Sequence, residues 1–160
     1  MKKLSTLLAA GLLLFSVAAC STAKTNANAP NDTNKVGEPA EQGEAQQNQG
    51  DATSDLRKRQ LESDIRAREQ RNDATGDDAD RADGDLASEV RSKLEANLPD
   101  GQLAVDAKDG TVTVSGTVPT AEQLARVEPL AKEIKGVQAV TVNVKVAPMQ
   151  PESNTNNSGK

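Results

Sequence analysis

Asp109-Gly110 is the feature that most constrains this chain. A two-residue loop with positive φ at both positions joins antiparallel strands, and Asp-Gly is one of the pairs that adopts it. The residues on either side can then be placed in register. With Lys108 opposite Thr111, Ala107 faces Val112, Val105 faces Val114 and Leu103 faces Gly116, all on one side. The other side carries Lys108, Thr111, Asp106, Thr113, Ala104 and Ser115. A slip of one residue would destroy this separation, because strand side chains alternate with period two. A hairpin with one buried face follows.

The flanking segments supply the cover. Leu86, Val90, Leu94 and Leu98 recur every four residues and share one helical face. Asp85 is placed to cap that helix, and Pro99-Asp100-Gly101 ends it. After the hairpin, Thr120 and Gln123 form a capping-box pattern. The helix that follows presents Leu124, Val127, Ala131 and Ile134, and Gly136 stops it. Pro129 inside it removes a helical hydrogen bond and is expected to kink or split it. Val140, Val142, Val144 and Val146 then alternate with Thr141, Asn143 and Lys145, the pattern of a strand with one buried face.

The order αββαβ gives an α+β domain, with two helices on one face of a three-stranded mixed sheet. A crossover through the second helix makes the last strand parallel to the middle one. Whether the last strand lies beside the first or the second stays open. The opposite sheet face, with Asp106, Lys108, Thr111, Thr113, Ser115, Thr117, Thr141, Asn143 and Lys145, is expected to be open and polar. At about sixty residues such a core is near the lower limit for independent stability.

The remaining segments are polar. Residues 20–53 contain one branched aliphatic residue, Val36, and read as a disordered tether. As a coil of about thirty residues it would span on the order of 30 Å. Residues 54–72 read as a polar charged helix, with opposite charges four apart at Asp55/Arg59, Lys58/Glu62, Glu62/Arg66 and Asp64/Arg68. Its apolar residues, Leu56, Leu61 and Ile65, are too few for a buried stripe, which favours a solvated spacer over a docking or membrane-surface helix. Residues 73–84 are an acidic linker, and 148–160 a disordered Pro/Asn/Ser tail. A calcium loop could place Asp78, Asp80 and Glu89 at positions one, three and twelve. Ala82 at position five and Asp83 in place of the turn glycine argue against it.

The first twenty residues form a separate unit. Met1-Lys2-Lys3 is basic, Leu4 to Val17 is mostly apolar, and Ala18-Ala19-Cys20 closes the run. This is the layout of a secretory signal, and the run is too short to span a bilayer. Val17-Ala18-Ala19-Cys20 resembles the lipobox of bacterial lipoproteins. The resemblance implies cleavage of a signal peptide, residues 1–19, and attachment of diacylglycerol and palmitate at Cys20. Ser21, in place of the Asp that often retains lipoproteins at the inner membrane, favours the periplasmic side of the outer membrane.

Composition removes whole classes of function. There is no Trp, Tyr or His, and the single Phe, Phe15, lies in the signal. Base stacking, aromatic cages and aromatic interfacial anchoring have no side chains to build them. The net charge is −5 with no concentrated basic patch, which argues against nucleic acid. With the only cysteine acylated, no disulfide or cysteine metal site can form. Without histidine, the commonest general base and metal ligand is missing. The chain reads as a non-enzyme with no cofactor and no metal.

Glu89-Val90-Arg91-Ser92-Lys93-Leu94, Val105, Asp109 to Val118, Ala131 and Gly136-Val137-Gln138-Ala139-Val140 resemble the BON domain over about 85–147. That family is known from bacterial osmotically inducible and nodulation-associated envelope proteins, and its fold is αββαβ. The resemblance implies a module that binds phospholipid or supports envelope integrity and stress tolerance. It makes Arg91 and Lys93 the candidate headgroup or partner contacts, although Glu89 and Glu95 balance their charge. The alternative is docking of an envelope protein or wall component through the open polar sheet face or a sheet edge.

Overall fold

In the computed structural model, residues 22–75 and 82–151 are described. Cys20, Asp78 and Asp80 lie outside them, as do the rest of the signal-like segment and residues 152–160. The elements in chain order are β1 (Ala23–Lys24), α1 (Gln42–Thr53), α2 (Asp55–Thr75), α3 (Asp83–Asn97), β2 (Gln102–Lys108), β3 (Thr111–Val118), α4 (Ala121–Lys132) and β4 (Ala139–Val146). They make an α+β fold around one mixed sheet of order β1-β2-β3-β4.

The hairpin forms in the expected register, with Lys108 opposite Thr111 and Leu103 opposite Gly116. Asp109 and Gly110 have φ of 49° and 76°, the two positive values that the tight turn needs. At Gly116, φ is 133° and a Cβ would lie 1.9 Å from the Gln102 carbonyl oxygen, so only glycine fits. β4 pairs parallel with β3 along its length, from Thr111 opposite Ala139 to Val118 opposite Val146. The last strand therefore lies beside the second hairpin strand.

The core lies between this sheet and helices α3 and α4. Leu86, Val90, Leu94 and Leu98 from α3 and its C-cap meet Leu103, Val105, Val112 and Val114, all fully buried or nearly so. α4 adds Val127, Leu130 and Ala131, and Ile134 follows just beyond it. Burial is weaker on β4, the edge strand: Val144 is buried, Val140 and Val142 are half-buried, and Val146 is 43% exposed.

The start of α4 follows local chemistry. The Gln123 backbone N–H donates to Thr120 Oγ1 at 3.2 Å. Thr120 and the Glu122 backbone N–H also favour the ionised Glu122 carboxylate. The N–H bond is the larger cause of its lowered pKa, and the Thr120 hydroxyl adds to it. Pro129 does not split the helix, which is continuous from Ala121 to Lys132. The residue is exposed, as is Ala125 one turn before, so the carbonyl that loses its donor can face water.

Beyond Pro129, further features differ from the sequence reading. First, the sheet has four strands: Ala23 pairs with Val105 and Lys24 with Ala104. Second, the segment expected as a disordered tether holds this strand, helix α1 and a stretch packed against the sheet. Its polar side chains replace the missing apolar ones by binding backbone. Thr25 Oγ1 accepts from the Leu103 N–H at 3.0 Å, and Asn26 Nδ2 donates to the Gly101 carbonyl at 3.1 Å. Third, α2 is not a free spacer; it packs along α3. Fourth, α3 starts at Asp83 with Ala82 at the cap position and no side-chain cap. Asp85 therefore falls in the first turn. Asp83 Oδ1 instead accepts from the Asp109 N–H at 2.8 Å, tying the helix start to the hairpin turn.

Candidate functional site

Three surfaces carry the charged and polar groups that sequence reading singled out. The first is the contact between α2 and α3. Arg57, Leu61, Asp64, Arg68 and Arg71 are spaced four, three, four and three residues apart, so they share one face of α2. Asp85, Ser92 and Glu95 answer them from α3, away from its apolar stripe. The helices run antiparallel. Arg57 Nε donates to Glu95 at 2.7 Å near one end, and Arg71 pairs with Asp85 at 3.0 Å near the other. Arg68 reaches both Asp85 and Asp64. Burial disfavours charge on the Arg68 guanidinium, but the hydrogen bonds and charges of Asp64 and Asp85 outweigh it and raise its pKa. Leu61, 2% exposed, is the apolar residue locked into this seam.

Arg91 and Lys93 lie on α3 beside the seam. Arg91 bonds Glu95 at 2.8 Å and Asp64 at 3.3 Å, and 18% of its side chain is exposed. Lys93 pairs with Glu133 just beyond α4. The structure thus places both in ion pairs within the chain, on different sides of the helix. A headgroup that reached either would compete with a carboxylate already in place. Sequence reading missed the docking set Arg57, Asp64, Arg68, Arg71 and Glu95 because it looked for an apolar stripe. The alternating four-and-three spacing of α2 was the available signal.

The second surface is the sheet face opposite the core, expected to be open. One end of it is covered. Gln102, Ala104, Ser115 and Thr117 are buried, and Thr117 Oγ1 donates to the Glu38 carbonyl at 3.2 Å. Gln102 shares a cleft with Asn28, Glu38 and Pro39. The other end stays accessible: Lys108, Thr111 and Thr141 are exposed. Lys108 pairs there with Asp83 and Asp109, and the Asp109 charge is the larger cause of its raised pKa.

The third surface is the outer edge of β4, the terminal strand of the sheet. A shallow cleft of about 430 Å³ lies beside it, lined by Thr33, Asn34, Val36, Asn143, Val144 and Lys145. Among the described residues, no group of three or more Asp, Glu, His or Cys is placed to hold a metal ion. No helix among them is long and apolar enough to cross a membrane.

Comparison with known proteins agrees with this architecture. Residues 82–148 match the family model described as the BON domain. Over 66 residues the chain is 39% identical to Osmotically-inducible protein Y of Escherichia coli (strain K12), a match covering 39% of this chain and 33% of that protein. The chain therefore spans about a third of the curated relative it matches. No solved structure matches it significantly. The αββαβ unit formed by α3, β2, β3, α4 and β4 is a BON domain.

Proposed function

We propose that this protein is a non-catalytic, lipid-anchored module of the bacterial cell envelope that associates with phospholipid and supports envelope integrity under osmotic stress. The BON domain over 82–148 is the observation that carries this reading. The name of the relative, Osmotically-inducible protein Y, supports the stress setting. Cys20 is the proposed site of acylation, on the periplasmic face of the outer membrane. Acyl chains contribute about 0.8 kcal/mol per buried methylene, so two or more anchor stably where one binds reversibly. Arg91 and Lys93 are the proposed headgroup contacts, weakened by their carboxylate partners.

Two measurements test the two halves of this reading. Cys20→Ala should move the protein from the membrane fraction to the soluble fraction; retention would show that the domain itself attaches. The same unacylated chain should co-sediment weakly with anionic vesicles at low salt. No binding to anionic or neutral vesicles would sink the phospholipid role. A second reading, docking of an envelope protein along β4, is favoured by one observation: among the described residues that edge has no neighbouring strand, and Val146 on it is exposed. Cross-linking from Lys145 in intact cells that recovers only lipid would count against it.

A further inference from the structure

The chain joins the fold only three residues after Cys20. Ala23 pairs with Val105 and is packed against the core cluster. Lys24 pairs with Ala104, and the Thr25 N–H donates to the Leu103 carbonyl at 2.9 Å. Thr25 itself is 8% exposed, and its hydroxyl donates to the Gly101 carbonyl at 3.1 Å. β1 is therefore a fixed point of the domain. Three residue steps span at most about 11 Å even when fully extended. A free coil of about thirty residues would have allowed on the order of 30 Å.

The direction of the leash is set as well. β1 is antiparallel to β2, so the chain enters β1 from the side of the hairpin turn at Asp109-Gly110. Ala23, Val105, Val114 and Val142 lie at one level across the sheet. With strands about 4.8 Å apart and residues about 3.3 Å apart, Lys108 lies roughly 11 Å from Ala23. Lys145 lies on the far strand, about 10 Å in the opposite direction along the strands and roughly 17 Å from Ala23 in all.

We propose that the acylated chain holds the domain directly against the lipid surface at β1 and the hairpin turn, with the Lys145 end of β4 turned away. This rests on acylation of Cys20. Charge does not attract this end to an anionic surface: Lys24 and Lys108 are outnumbered by Asp83, Asp106 and Asp109. Contact is imposed by the short leash, and the β4 edge is left for partners.

The experiment uses the full acylated chain in vesicles of phosphatidylethanolamine and phosphatidylglycerol whose headgroups carry a nitroxide quencher. Single variants Lys108→Cys and Lys145→Cys, both at exposed positions, carry a fluorophore. The label at 108 should be quenched and that at 145 should not. Equal quenching in an acylated, vesicle-bound chain overturns the orientation and leaves the anchor standing. Inserting a Gly/Ser stretch of about thirty residues between Ser21 and Thr22 should abolish the difference while vesicle binding persists. A difference that survives the insertion would mean that the domain's own affinity orients it, and the leash inference fails. Absence of acyl mass on Cys20 overturns the anchor and, with it, this inference.

Discussion

α3 is held on two sides by different physics. Toward the sheet it offers Leu86, Val90, Leu94 and Leu98, each at most 1% exposed. Toward α2 it offers Asp85, Ser92 and Glu95, met by Arg57, Asp64, Arg68 and Arg71. The apolar side gains from water released and is insensitive to which neighbour supplies the area. The polar side depends on geometry, since a misplaced carboxylate forfeits its hydrogen bond while keeping the cost of desolvation. The first side makes a domain, and the second fits one particular helix onto it.

The contrast can be broken at its strongest point first. Leu94→Ala should destabilise the protein by about 2–5 kcal/mol, read by urea unfolding. Far-UV circular dichroism is the signal to follow, since the chain has no Trp or Tyr. Glu95→Gln removes the charge shared by Arg57 and Arg91 and should cost about 1–3 kcal/mol. A loss as large as that of Leu94→Ala would erase the distinction between the two sides. Salt sharpens it. Raising ionic strength to about 1 M should shrink the Glu95→Gln effect and leave that of Leu94→Ala intact.

Smaller effects calibrate both sides from α4. Thr120→Ala should cost about 1 kcal/mol through the lost cap, independent of salt at the seam. The smallest is a pH effect. The Glu122 pKa is lowered in the folded state, so its contribution is present above the unfolded value and is lost as pH falls through the folded one. An NMR titration should place the Glu122 carboxyl below an ordinary glutamate. Glu122→Gln should remove that part of the acid dependence.

Legibility in the sequence followed the same division. The hairpin register, the four-residue stripe of α3 and the alternating valines of β4 could all be read, because apolar periodicity reports directly on a buried face. The direction of β4 followed from the crossover rule, but its neighbour did not. The placement of α2 was hidden because Arg57, Asp64, Arg68 and Arg71 look solvated when taken alone. Only opposite Asp85 and Glu95 do they become one side of a contact. β1 was hidden for a related reason: two residues carry no period. Its partners are the backbone of β2 and the hydroxyl of Thr25. Of the proposed site residues, Arg91 and Lys93 were findable as cations, whereas their carboxylate partners Asp64 and Glu133 come from segments distant in sequence.

The covered end of the sheet also bears on how the protein becomes folded. The contacts of the amino-terminal stretch with Gly101, β2 and β3 join residues 76, 78 and 79 positions apart. Backbone bonds of Gln150 with Gln42 and Ala40 close a still larger loop. Such long-range closures are slow, since the entropy of bringing distant residues together is lost before any contact compensates for it. The BON segment, by contrast, closes through a two-residue turn and short connections. The half of the chain that is synthesised first must therefore wait, without its binding surface, until the half synthesised last has formed it.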